Sequence, residues 1–163
     1  VKQYIGVKVI NAKPMTRLAY NSFRGWDVPA DENPDDEGFL VEYTDGGKAN
    51  TKDFIGYVSW SPKEVFEKAY FETDGMTFGL AIEAMKMGFK VSRSGWNGKG
   101  MFVYYVGDDH YPAKTAAAKS FYGENGFVPY RAYIAMKTVD DVVVPWVASQ
   151  TDLLSEDWSV VND

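Results

Sequence analysis

The stretch KVSRSGWNGKGMFVYYV, Lys90 to Val106, decides how the second half of the chain is read, because it sets Gly95, Gly98 and Gly100 directly ahead of an aromatic-rich run. A P-loop needs G-x-x-x-x-G-K-[ST], and a dinucleotide-binding turn needs G-x-G-x-x-G, each leading into a helix. Neither spacing occurs here, and MFVYYV reads as a strand. Without a helix N-terminus there is no aligned set of free amides for a phosphate. The loop can still bend around a ligand, with Arg93 or Lys99 as the cation and Trp96 as a stacking face. A glycine-rich hairpin with Trp96 packed inward fits the same residues, and both readings stay open at this point.

Outward from the loop, KVSR, AYIAMK, VVVPWV and WSVV read as further strands. Thr77 caps a helix whose Phe78, Ile82 and Met85 recur on one face, and Gly88 suits its left-handed exit. Ser149 or Thr151 opens a second, short helix. The segment PAKTAAAKSFYGENGFVPY is too long for a tight turn; its alanines allow a helix, and a flap is the alternative. In the first half, YIGVKVI (Tyr4 to Ile10) alternates like a half-buried strand, and Pro14 and Thr16 open a helix running to Phe23 and ended by Gly25. DVPADENPDDEG is an acidic loop, FLVEY and YVSW are strands, and Ser61-Pro62 starts a helix with Val65, Phe66 and Ala69 on its apolar face. The fold class is α+β: two small domains, 1–74 and 75–163, each a short antiparallel sheet with one or two helices.

Composition narrows the function. The chain has 163 residues and no cysteine, which removes disulfide scaffolds, thiol nucleophiles and the usual zinc sites. No apolar run approaches a membrane span, so a cytosolic protein without membrane association is expected. A net charge of −6 argues against long nucleic acids as partners. Yet Lys86, Lys90, Arg93 and Lys99 fall in a segment free of acidic residues, which suits a small anion. Aromatic residues make up 16% of the chain, enough to serve both a core and stacking surfaces.

The catalytic signals are weak. His110, the only histidine, sits in GDDHYP, where an exposed turn explains it better than a metal site with Asp108 and Asp109. No nucleophile elbow or triad pattern accompanies it. No catalytic residue, cofactor or metal is expected. Pro145 marks a sheet edge, and Ser149, Gln150, Thr151 and Asp152 form a polar run at a helix start, where simple capping competes with ligand contact.

From about Met76 onward the chain resembles the phage Thoeris anti-defence sponges of the second type. The resemblance is carried by MTFGLAIEAMKMGFKVSRSGWNGKGMFVYYV and PYRAYIAMKTVDDVVVPWVASQTDLLSEDW, and above all by W-N-G-K-G together with P-W-x-A-S-Q-x-D-L-L. It implies a homo-oligomeric protein that holds a small cyclic nucleotide messenger, glycocyclic ADP-ribose above all, between subunits without cleaving it. For some members it also implies cyclic dinucleotides at separate sites. Carried over residue by residue, Trp96, Asn97, Met101 and Phe102 line one wall, and Trp146, Ser149, Gln150, Thr151 and Asp152 the other. The resemblance places the protein in the cytoplasm of the infected bacterial host. The segment from Ala113 to Phe127 and the first domain depart from the family pattern. A nucleotide-cleaving enzyme and a phage structural or interaction module are the rival classes.

Overall fold

Strand partners, more than strand patterns, decide the first unit of the computed structural model, which describes residues 1–162 and divides into Val1–Phe71 and the residues from Glu72 onward. Three antiparallel strands, β1 (Ile10–Pro14), β2 (Gly38–Tyr43) and β3 (Tyr57–Pro62), lie in the order β1-β2-β3. Between β1 and β2 runs α1 (Arg17–Arg24), capped by the Thr16 side chain and ended by Gly25 at φ 70°. It covers the sheet face carrying Leu40 and Val58, which are buried with Tyr20. Alternation turns Phe39 to the other face. There its ring stacks on Phe66 of α2 (Lys63–Ala69) at 4.1 Å, and Phe66 stacks on Tyr70 at 5.0 Å.

Two expectations fail in this unit. Tyr4 to Val9 is irregular and exposed, and the strand begins only at Ile10. The cause is the length of β2: Ile10 pairs with Tyr43, the last residue of β2, so earlier residues have no ladder to join. Their alternation meets no partner. The second failure is the start of α2, where Ser61 does not cap and Pro62 is the N-cap without a side-chain bond. The Lys63 N–H is instead taken by the Glu37 carbonyl at 3.1 Å, and Val65 is left exposed, so Phe66 and Tyr70 form the packed face.

The second unit threads α3 (Phe78–Lys86), β4 (Val91–Arg93), β5 (Phe102–Val106), β6 (Asp109–Pro112), α4 (Ala116–Tyr122), β7 (Phe127–Tyr130), β8 (Tyr133–Lys137), β9 (Val143–Pro145), α5 (Gln150–Leu154) and β10 (Trp158–Val160). Five strands make an antiparallel sheet in the order β10-β4-β5-β8-β9, so the last strand returns beside the first. On one face α3 buries Phe78, Ala81, Ala84 and Met85 against Val91, Val103, Met136 and Trp158. β6 and β7 form a separate two-stranded ribbon, with α4 as the helix that the alanines allowed. His110 is thus a strand residue of that ribbon, not part of a turn. The α+β class holds, with two helices in the first unit and three in the second.

Thr77 is the N-cap of α3, its side chain accepting the Leu80 N–H at 3.4 Å. Thr77→Ala is expected to lower the stability of this unit by about 1 kcal/mol, read by thermal denaturation. An unchanged melting temperature would show that the cap is supplied by water.

Candidate functional site

The β4–β10 pairing sets Arg93 opposite Trp158 and so brings the two ends of the second unit together. At that junction Arg93 lies between two carboxylates. Its Nη1 donates to Asp152 Oδ1 at 2.7 Å and its Nε to Asp157 Oδ1 at 2.8 Å, with the Arg93 side chain only 10% exposed. Asp152 is engaged on both oxygens. Oδ1 also accepts the Trp96 indole N–H at 3.0 Å, while Oδ2 accepts the Ser149 N–H at 2.9 Å and the Ser149 hydroxyl at 2.7 Å. Ser149 in return accepts the Asp152 N–H, which closes a capping box at the start of α5.

Charge follows this geometry. Burial alone would raise the Asp152 carboxyl, but the hydrogen bonds from Ser149, then Arg93 and Trp96, outweigh it and hold the group well below the ordinary carboxylate value. For Asp157 the Arg93 hydrogen bond is the leading cause of a lowered value, and on Arg93 the same bond leads in raising the guanidinium. Both acids are therefore ionised, and Asp152 has no free oxygen. Trp158 Nε1–H donates to the Asp152 carbonyl at 3.0 Å, so two tryptophans grip one residue.

Around that residue the rings form a cluster. Trp96 meets Trp158 at 5.3 Å and Trp146 at 6.0 Å, both edge to face, and Phe78 meets Trp158 at 5.3 Å. Trp158 is fully buried, whereas Trp96 and Trp146 are half-buried and keep part of each ring open. Asn97 is exposed directly after Trp96, and Ser149, Gln150 and Thr151 are exposed at the start of α5. The Trp96–Asp152 bond ties these two segments together.

Of the residues singled out from the sequence, Arg93, Trp96, Trp146, Ser149 and Asp152 meet in one network, and Asn97, Gln150 and Thr151 flank it. Met101 packs against the core cluster. Phe102 does not join them. It lies one residue from buried Val103 and so on the opposite sheet face, where Lys90 Nζ sits 5.4 Å from its ring centre and Tyr104 lies 6.0 Å away. An open cleft of about 330 Å³ takes in Lys90, Phe102, Tyr104, Lys137 and Val143 and reaches round to Met85, Gly88, Phe89 and Tyr105. Lys99 is exposed in the loop. Sequence reading missed Asp157, whose pairing with Arg93 spans 64 positions and has no local signature. Among the described residues no group of three or more His, Asp or Glu side chains is placed to hold a metal.

A family model described as the Thoeris anti-defense 2-like domain matches residues 76–161. The chain belongs to that family. A protein of Bacillus phage SP01 named "Thoeris anti-defense 2" is 43% identical over 91 residues, covering 53% of this chain and 96% of that protein. The Thoeris anti-defense 2-like domain thus contains the whole Arg93–Asp152–Asp157 network and the tryptophan cluster, and membership gives this chain an anti-defence role. The unit Val1–Phe71 lies outside the matched residues.

Proposed function

We propose that this Thoeris anti-defense 2-like protein captures a small cyclic nucleotide messenger of bacterial immunity, glycocyclic ADP-ribose in the first instance, and holds it without cleavage. The observation that carries the reading is the pairing of two half-buried tryptophans with an exposed polar rim, Asn97, Gln150 and Thr151, on a pre-formed ionic frame that includes Ser149. Open indole surface suits a base, and the rim supplies donors and acceptors for ribose and base edges. Turnover is not favoured, because Asp152 accepts four internal donors and cannot take a proton from a nucleophile. Such a protein acts by stoichiometry, in the cytoplasm of the infected host where the messenger is made. It works as a homo-oligomer, for which the exposed valines Val142, Val143 and Val144 at the β9 edge offer an apolar contact.

Calorimetric titration of the whole chain with glycocyclic ADP-ribose tests this reading, followed by denaturation and recovery of the ligand. Tight binding with intact ligand is expected. Asn97→Ala is expected to weaken binding about tenfold without changing the melting temperature, since one hydrogen bond lost from a covered site costs roughly 1–2 kcal/mol. A wild type that binds no nucleotide ends the proposal, and recovery of cleaved ligand replaces it with an enzyme. The cleft around Lys90, Phe102 and Tyr104 favours a second, separate occupant, for which a cyclic dinucleotide has the rings and phosphates. Its binding should add to that of the first ligand and be lost in Phe102→Ala.

A further inference from the structure

Asp157 directly precedes β10, so the pairing of Trp158 with Arg93 sets it beside Ser94. Its Oδ2 accepts the Gly95 N–H at 2.8 Å and the Ser94 hydroxyl at 3.2 Å, while Oδ1 accepts Arg93 Nε at 2.8 Å. The Ser94 N–H also donates to the Asp157 carbonyl at 3.2 Å. One residue therefore holds three consecutive positions ahead of Trp96. The approach is close: a Cβ on Gly95 would stand 2.9 Å from Oδ2, so the carboxylate would have to shift to admit it. Arg93 passes the constraint onward, because its other contact is Asp152, which fixes the Trp96 indole N–H. Trp96 is thus held from two sides.

We infer that Asp157 is a positioning residue of the nucleotide site, presetting the turn from Ser94 to Asn97 so that Trp96 and Asn97 meet a ligand without being reordered. The inference rests on the proposed nucleotide-binding reading. A loop that becomes ordered only on binding subtracts its ordering entropy from affinity and slows productive encounter. A loop fixed in advance does neither. Asp157 is 30% exposed, against 10% for Arg93, so replacing it disturbs the core less than replacing Arg93.

The test compares wild type, Asp157→Ala and Asp157→Asn by calorimetry and stopped-flow association with glycocyclic ADP-ribose, and by amide hydrogen exchange without ligand. Asp157→Ala is expected to weaken binding about tenfold, chiefly through slower association, consistent with the cost of ordering one or two residues. It should also lose exchange protection at Gly95 and Trp96 while Val91 and Val103 keep theirs. Asp157→Asn keeps an acceptor for Gly95 and Ser94 and should restore most of the affinity. A residue with only a structural role would lower the melting temperature and leave the association rate of folded protein unchanged, and that result overturns the inference. Wild-type affinity in Asp157→Ala overturns it as well. If Asp157→Ala does not fold, Gly95→Ala displaces the same contact and carries the comparison. A wild type without nucleotide affinity removes the reading of the site and this role with it, an outcome distinct from tight binding by both proteins.

Discussion

Arg93→Ala is expected to destabilise the second unit by about 3–5 kcal/mol, because it leaves the Asp152 and Asp157 carboxylates without their shared cation while both remain partly or fully enclosed. Against a typical domain stability of about 5–15 kcal/mol this is close to unfolding. Arg93→Lys should recover little, since one ammonium cannot reach two carboxylates in the way that Nε and Nη1 of a planar fork do. The effect has a pH signature. Both carboxylates lie below the ordinary value of 3.8 in the folded protein, so their contribution is present above that value and is lost as pH falls through the lowered native ones. Without Arg93 the leading cause of the lowering at Asp157 disappears, while at Asp152 the bonds from Ser149 and Trp96 retain part of it. The gap between wild type and variant should therefore be widest near neutrality and shrink in acid. Calorimetric unfolding at neutral and acid pH measures it, and a gap that does not change with pH would show that the lost stability is packing rather than charge.

Trp158→Ala should be as severe. The residue is 0% exposed, its ring contacts Phe78, Trp96 and Trp146, and its N–H satisfies the Asp152 carbonyl. Removing a buried tryptophan costs about 3–5 kcal/mol in transfer and cavity terms, and the unsatisfied carbonyl adds to it. Trp158→Phe separates the two contributions. It retains most of the ring and leaves the carbonyl unpaired, for an expected loss of about 1–3 kcal/mol. The reading is urea unfolding followed by tryptophan fluorescence, and a loss below about 1 kcal/mol for Trp158→Ala would mean that Phe78 and Trp146 close over the gap.

Local rules found what they govern. The caps at Thr16, Thr77 and Ser149, the glycine exits at Gly25 and Gly88, and the strand after the glycine loop all depend on a few neighbouring residues. Tyr4 to Val9 went wrong because alternation states which face a strand would bury, not whether a neighbour lies alongside. In the site, W-N-G and W-x-A-S-Q-x-D were visible as motifs, but their roles were not. At Asp152 the sequence leaves capping and ligand contact open, and only three-dimensional contact reveals that Ser149, Trp96 and Arg93 fill both oxygens. The family resemblance sets Phe102 on one wall with Trp96, whereas sheet alternation sends its side chain to the other face. Asp157 had no local pattern at all.

The neighbour relation between β4 and β10 also sets the order in which this protein can be completed. Asp157 contacts Arg93, Ser94 and Gly95, 62 to 64 positions earlier, and the Met76 N–H donates to the Trp158 carbonyl. A chain emerging from the ribosome can form α3 and the β5–β8 pairing before these residues exist. The Trp96 loop must wait. Such distant closure slows folding, so nascent chains spend their longest unprotected interval with Trp96 and Trp146 lacking the Trp158 ring that they pack against. Shortening the chain past Asp157 would prolong that interval indefinitely, leaving a product that is synthesised and partly helical yet whose Trp96 loop is never anchored.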